Sequence, residues 1–596
     1  MTGSSPPSVV AETIARLRTL SQLDIRNQWR VCEHDLPVAE GCNPAHWQNW
    51  PIALLNENGY IVWERGHRIR WLCQQITVPH DLHGYALEGM VLRLALTVWT
   101  DPTHVFVNGQ LVQECDLFDH SPRILLSERV TPGDTIAVAL RAVSPGHDNG
   151  ALMKSLCLYE TPQRDAAYSG KENNHIREPS FLADELAALE IFLTTLAPEQ
   201  LPLLEQAMGA IAWDAVHDPP RFQQSIHHLY QTLQPLADWI QQRQICLLGH
   251  SHLDLVWLWT WAETCDVAER MFKSVLSLQQ DYADLVFCHS SPALYAWVED
   301  HRPALFAAIQ TQIQAGRWEA LGGMWVEPEL NLLHGESLVR QVLYGQRYVQ
   351  SRFGRLDRIA WLPDSFGFCW QLPQILSQGG IKYLVTQKLT WNDRTKFPYA
   401  AFWWQAPDGS RVFTVMSSTV GEGIDPIKMA TYASQWEKAT NIPHALWLFG
   451  VGDHGGGPTR DMLEVAERWR RSSLFPKLTS STALDYLQSI CQPSSCQPSS
   501  ADPNAAAFPT WADELYLECH RGSYTTHGDQ KRWNRRCEAL LYQAELWSSL
   551  MTIATNAPYP HAALDHCWRT LLFNQFHDIL PGSSIPEVFV EANAAW

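Results

Sequence analysis

His250, His252 and Asp254 stand at alternate positions just past a short apolar run, Ile245 to Leu248, that Gly249 ends. An extended chain points residues two apart to the same side. The His252 imidazole and the Asp254 carboxylate can therefore converge on one point. Imidazole nitrogen plus carboxylate oxygen is a ligand set suited to Zn²⁺ or a similar divalent ion. The same pair can instead hydrogen-bond locally in a turn. His250 is the weaker ligand candidate, a residue that orients a neighbour or caps the strand. Trp257, Trp259 and Trp261 follow at once and serve either as core or as a stacking face for a sugar.

Further polar clusters follow other apolar runs. Glu327, Glu329 and Asn331 lie in 322–331, Asp364 in 363–367 and Asp453 in 450–459, and His577 and Asp578 stand together near the end. A carboxylate at one strand end has a bland reading as the N-cap of the next helix. Three of them, Asp254, Asp364 and Asp453, would share one mouth if the strands form a barrel, because a βα barrel gathers its strand ends on one face.

The elements that must position these residues alternate in type. Strand candidates are 246–249, 285–289, 318–321, 359–362, 383–386 and 445–449; helix-length segments 264–278, 292–315, 337–353 and 459–471 lie between them. Repeated βα units imply a parallel sheet with right-handed crossovers. The expected fold class is multidomain α/β: an N-terminal jelly-roll-like β-sandwich, a central βα barrel of about seven strands and a C-terminal domain of about three helices. The division along the chain is 1–45 an N-terminal arm, 46–160 the β-sandwich, 161–243 a helical linker, 244–490 the barrel, 491–510 a Ser/Pro/Ala-rich linker and 511–596 the helical domain. The sandwich rests on short alternating runs separated by turn signals such as Asn108-Gly109 and Pro132-Gly133.

Composition narrows the function classes. The chain has 596 residues and a net charge of −19, which argues against a nucleic-acid or anionic-membrane partner. Twenty-seven tryptophans are many for this length and fit a carbohydrate-handling protein. Fourteen cysteines without a C-x-x-C pair read as reduced thiols. No signal peptide and no run approaching a membrane span are visible, so the expected location is cytoplasmic.

Six blocks carry a resemblance: GHSHLDLVWLW (249–259), GGMWVEPELN (322–331), WLPDSFGF (361–368) with LPQIL after it, FGVGDHGGGPT (449–459), ELYLECHRGSYTTH (514–527) and NQFHDILPGSS (574–584). In this order they resemble glycoside hydrolase family 38, the retaining α-mannosidases, and within it the cytosolic and vacuolar branch. The resemblance implies one divalent ion, Zn²⁺ or alternatively Co²⁺, held by His252, Asp254, Asp364 and His577. It makes Asp364 both ligand and nucleophile, sets Trp257 against the bound mannose and gives Asp578 a part in substrate binding. Asp453 is the choice for general acid/base, on a loop that varies between branches of the family. Arg521, Tyr524 and His527 either contact sugar or pack loop on helix.

The implied substrate is a mannose-containing glycan. Its terminal α-linked mannose would be released through a covalent mannosyl-aspartate. Family members continue into β-rich domains beyond the helical domain, and no second β-rich region is visible after 511. The expectation is an apolar patch on the helical layer, with a homo-oligomer or a complementary β-rich polypeptide as partner. Two competing readings are a metal-dependent amidohydrolase or deacetylase, in which the ion activates water, and an inactive sugar-binding fragment of a split mannosidase.

Overall fold

The computed structural model describes residues 8–117, 119–162, 178–452, 455–491 and 508–596. The chain separates into two compact units. One comprises residues 1–243, 426–434 and 467–477; the other comprises 244–425, 435–466 and 478–596.

The first unit is built on two five-stranded sheets. Strand Val91–Trp99 shows why they form: Leu92, Leu94, Leu96 and Val98 point inward at period two, and Ile136, Val138, Leu140 and Ala142 of Thr135–Val143 do the same from the other sheet. These side chains make one shared core, as in a sandwich of antiparallel sheets. Residues 1–45 are not merely an arm. Gln22–Asp24 pairs with Gly150–Glu160, and Arg30–Cys32 pairs with Ile69–Thr77, one in each sheet. Three-residue strands carry too little periodicity to be read locally; the long neighbouring strands decide them. The helical stretch contains Pro179–Leu196, Leu201–Gly209, Pro219–Thr232 and Gln234–Ile240.

Among the described residues, the parallel strands of the second unit include β1 (Gln244–His250), β2 (Phe287–His289), β3 (Trp318–Ala320), β4 (Ile359–Trp361), β5 (Tyr383–Thr386), β6 (Arg411–Met416) and β7 (His444–Phe449). Their order is β3-β2-β1-β7 in one sheet and β4-β5-β6 in another. Among the described residues the expected barrel is thus not closed by hydrogen bonds but divided between two sheets. β6 is not among the strand candidates that the apolar runs mark out. It belongs to a hairpin with Ala401–Gln405, antiparallel, turning at Asp408-Gly409, where Gly409 has φ +89°. The strand that was missed lies behind that turn, and its apolar run resembles its hairpin partner more than a βα repeat.

The helix expected over 292–315 is two helices, Pro292–His301 and Pro303–Gln314. Pro303 has no N–H to continue the ladder, and Arg302 before it takes φ −137° and ψ 57°, outside the helical region. The C-terminal layer consists of Gly528–Thr555, His561–Asn574 and Pro586–Ala595. The first of these exposes Tyr542, Leu546, Trp547, Leu550, Met551 and Ile553. Among the described residues, no helix is long and apolar enough to cross a membrane.

Candidate active site

β1 runs out at His250, and the chain continues through Ser251, His252, Leu253 and Asp254. The His252 and Asp254 side chains converge, Nε2 of one 3.2 Å from Oδ1 of the other, and both are buried. The exit of β7 lies tight against this stretch. A Cβ on Gly450 would sit 1.9 Å from the His250 carbonyl oxygen, so only glycine permits the approach.

His577 arrives from much further along the chain. Backbone pairing carries it in: Glu329 N–H donates to the Gln575 carbonyl at 2.9 Å, His577 N–H donates to the Glu327 carbonyl at 3.2 Å, and Pro328 bridges Phe576. The His577 ring nitrogen Nδ1 lies 2.9 Å from the same Glu327 carbonyl. A carbonyl only accepts, so Nδ1 carries a proton, and Nε2, turned inward, is the atom that must be unprotonated to bind a metal.

His252, Asp254, Asp364 and His577 each offer one ligand atom, and those atoms all lie within 4.8 Å of one another. The His252 Nε2–Asp254 Oδ1 distance is 3.2 Å, and His577 Nε2 stands 3.1 Å from Asp254 Oδ1 and 3.6 Å from Asp364 Oδ2. Ligands roughly 2.1 Å from a tetrahedral ion are about 3.4 Å apart, so this quartet fits one divalent cation. A further sign is that His252 Nε2, buried and 3.2 Å from a carboxylate oxygen, makes no hydrogen bond. Both atoms aim at a third point.

The electrostatics say the same. Burial alone would lower the His577 pKa, but Asp578, Asp254 and Glu327 overcome it and raise the group to about 10. His252 is likewise raised against burial, by Asp254, Glu327 and Asp364. Burial works to raise Asp254, yet His252 and His577 hold it well below the usual carboxylate range. Asp578 is pushed up to about 8 by burial and by the charge of Asp254. The surrounding carboxylates thus favour positive charge at this point, the electrostatic condition for holding a cation.

This sets the pH dependence of metal uptake. Both imidazoles have raised folded pKa values, so both hold protons near neutrality, and both must lose them to bind metal. Apparent affinity should climb with pH as long as pH remains below those folded values, up to about tenfold per unit for each proton displaced. Calorimetric titration at pH 6.5 and 8.5, in buffers of different ionisation enthalpy, should find tighter binding at the higher pH and release of about two protons. Equal affinity at both, with no proton released, would contradict the protonated quartet.

Over the quartet opens a cleft of about 310 Å³, lined by Asp254, Asp364 and Asp578 at its floor and by Trp257 in its wall. Ser583 donates to Asp578. Of the residues singled out from sequence, these and His252 and His577 come together; Asp453 lies outside the described residues. His250 stays out of the quartet. Its Nδ1 faces the Cys288 carbonyl of β2 at 3.3 Å, and its ring meets Trp361 edge-on. Glu329 accepts from Asn331 N–H at 2.8 Å and from Leu332 N–H, a local cap. Tyr524 ties loops together, accepting from Asn331 Nδ2 at 3.0 Å and donating to the Phe366 carbonyl at 3.1 Å. His527 stacks on Phe589.

Several residues of the site were missed or undervalued. Glu327 neither caps the next helix nor lines the mouth. Its Oε1 accepts from the backbone N–H groups of Asp364 at 2.5 Å and Ser365 at 3.1 Å, while its carbonyl takes His577. It holds two ligands in place from one buried side chain. Phe366, Lys388, Trp391 and His520 also line the cleft. The available signal for Lys388 was its position two residues beyond the end of β5, the same strand-end logic that picked out Asp364.

Residues 242–514 match the glycosyl hydrolases family 38 N-terminal domain, and residues 518–596 match the alpha mannosidase middle domain. The chain belongs to glycosyl hydrolase family 38. It is 38% identical over 356 residues to Alpha-mannosidase 2C1 of Homo sapiens, covering 59% of this chain and 33% of that protein. To the Alpha-mannosidase of Saccharomyces cerevisiae it is 34% identical over 354 residues, covering 57% of this chain and 32% of the other. The match thus spans about a third of the length of these relatives. Among solved structures it is similar to an alpha-mannosidase from Enterococcus faecalis V583, with a TM-score of 0.50 at 22% identity over 59% of this chain and 40% of that one, a likeness of fold.

Proposed function

We propose that this family 38 chain is a retaining α-mannosidase that releases terminal α-linked mannose from glycans, with Asp364 as nucleophile and one Zn²⁺ held by His252, Asp254, Asp364 and His577. The observation that carries this reading is the place of Asp364. Its Oδ2 faces the His577 ligand nitrogen at 3.6 Å, while the residue also forms the floor of a cleft walled by Trp257. A single carboxylate is thereby available to an ion and to a sugar carbon. The names of the relatives support the substrate class.

The bound ion would supply a Lewis-acidic anchor for sugar hydroxyls. The chain's residues do the rest. Trp257 offers an aromatic face to the apolar side of the ring. Asp578, fixed by the Ser583 hydroxyl, accepts hydrogen bonds from sugar hydroxyls. Asp364 attacks the anomeric carbon and forms a glycosyl ester, which water then cleaves with overall retention. Asp453 is proposed as the acid that protonates the departing oxygen and then as the base that takes the proton of water. Its loop follows β7, which pairs with β1 along its length. Buried cysteines such as Cys73, Cys157, Cys246 and Cys288 are free thiols, which supports a reducing, cytoplasmic setting.

The direct test is hydrolysis of an aryl α-mannoside before chelation, after it and after metal is returned, with the first-formed anomer read by NMR. Activity that survives chelation, or β-mannose as the first product, would overturn the reading. The acid has its own signature. Asp453→Ala should slow cleavage of natural α-mannosides by about 10²–10⁴-fold, the usual worth of a general acid. Cleavage of aryl mannosides with good leaving groups should fall far less, because those groups depart without a proton. Equal losses on both would exclude Asp453 as the acid.

A further inference from the structure

Lys388 is an unusual lysine. Its side chain is 1% exposed, and its ammonium donates to Oδ1 of Asp364. Lysine is almost never fully buried unless paired. Two aromatic rings hold it there: the ammonium is 3.8 Å from the centre of Trp391 and 5.2 Å from that of Phe366. Among the residues lining the cleft it is the one lysine or arginine. The two oxygens of Asp364 therefore have different neighbours, Oδ2 the ligand nitrogen of His577 and Oδ1 the ammonium.

The geometry points to Lys388 as the fixed counter-charge that drives breakdown of the glycosyl-enzyme, by stabilising Asp364 as it leaves the sugar. This rests on the double-displacement reading above. In the first half of that reaction Asp364 bonds to the anomeric carbon, the bond to the leaving oxygen breaks, and the carboxylate becomes a neutral ester. Lys388 then faces no charge. In the second half water bonds to the same carbon and the ester C–O bond breaks. The electron pair of that bond returns to Asp364, and the proton of water goes to the carboxylate that gave up its own in the first half. Negative charge reappears where the ammonium already stands, in a site shielded by Trp391 and Phe366, with no reorganisation needed. Lys388 thus favours the free carboxylate at both ends of the cycle over the ester between them. Its removal should affect the second half far more than the first.

A purely structural lysine, one that only balances Asp254, Asp364, Asp578 and Glu327, would show a different pattern. Its loss would disturb the quartet and lower both halves together. The experiment is steady-state and rapid-quench kinetics of wild type, Lys388→Met and Lys388→Arg on an aryl α-mannoside with a good leaving group. Metal content and intact mass are measured in parallel. Lys388→Met should lower kcat by roughly 10²-fold, the cost of one lost charge-stabilising donor, and kcat/KM by much less, so that KM falls. A burst of about one aryl group per site and a mannosyl adduct on Asp364 should appear. Lys388→Arg should restore kcat and abolish the burst.

Parallel falls of kcat and kcat/KM without a burst would overturn the role, and so would wild-type behaviour of Lys388→Met. If methionine at this buried position empties the quartet, Lys388→Gln, which keeps a donor but loses the charge, is read in the same way. A wild-type chain that never acquires a mannosyl group on Asp364 from a slow fluorinated reagent would overturn the double-displacement reading itself. A labelled wild type with no adduct build-up in the variants refutes Lys388 alone.

Discussion

Asp364→Ala is expected to lower turnover of any α-mannoside by at least about 10⁴-fold, the scale of losing a nucleophile that shares a site with its supporting groups. Two losses coincide. The carboxylate that would bond to the anomeric carbon disappears, and so does one of the four ligand atoms that cluster within 4.8 Å. Asp364→Asn separates them. Its amide oxygen can still face the quartet, and the Glu327 contacts to the backbone N–H groups of residues 364 and 365 are untouched. That variant should keep much of its metal and still be inactive. Metal analysis beside kcat decides the matter: an asparagine variant retaining more than about a hundredth of wild-type turnover would place the nucleophile elsewhere.

His577→Ala should lower divalent-metal affinity by at least about 10²-fold, since four-ligand zinc sites draw several kcal/mol from each ligand. The ring is fully buried, its Nδ1 is held by the Glu327 carbonyl, and its Nε2 is within 3.6 Å of Asp254, Asp364 and Asp578. Alanine leaves those three carboxyl groups facing one another with one imidazole fewer between them. The metal-free variant should therefore be less stable than metal-free wild type, because the like charges lose their partner. Excess metal should restore part of the activity. Inductively coupled plasma analysis after dialysis, and a thermal melt with and without chelator, test both points. Full occupancy in His577→Ala would remove this residue from the ligand set.

Much of the site was legible because its chemistry is local. The pair His252 and Asp254 needs only the period of an extended chain, and an aspartate at the end of β4 needs only the strand. The six sequence blocks then set the family, since each carries several constrained residues in fixed order. The sandwich was legible in strands such as Val91–Trp99, whose alternation runs for nine residues. It was not legible in the three-residue strands at 22–24 and 30–32, which exist because longer neighbours offer them partners.

By itself the sequence picked out candidates for binding an ion and attacking a sugar, and roughly which elements carry them, because side-chain chemistry and backbone periodicity are properties of short segments. Only the tertiary structure shows how His577 meets Asp254 across 323 residues, a meeting the resemblance implied, through pairing of the loop at 327–329 with the turn at 575–577. It decided that His250 turns to the β2 backbone while His252 turns to Asp254, and that the parallel strands split between two sheets. It alone made Glu327 a brace and Lys388 a buried counter-charge. A carboxylate or an ammonium costs several kcal/mol to bury without a partner, so its role is set by the groups that folding brings against it, and those groups lie far away in the chain.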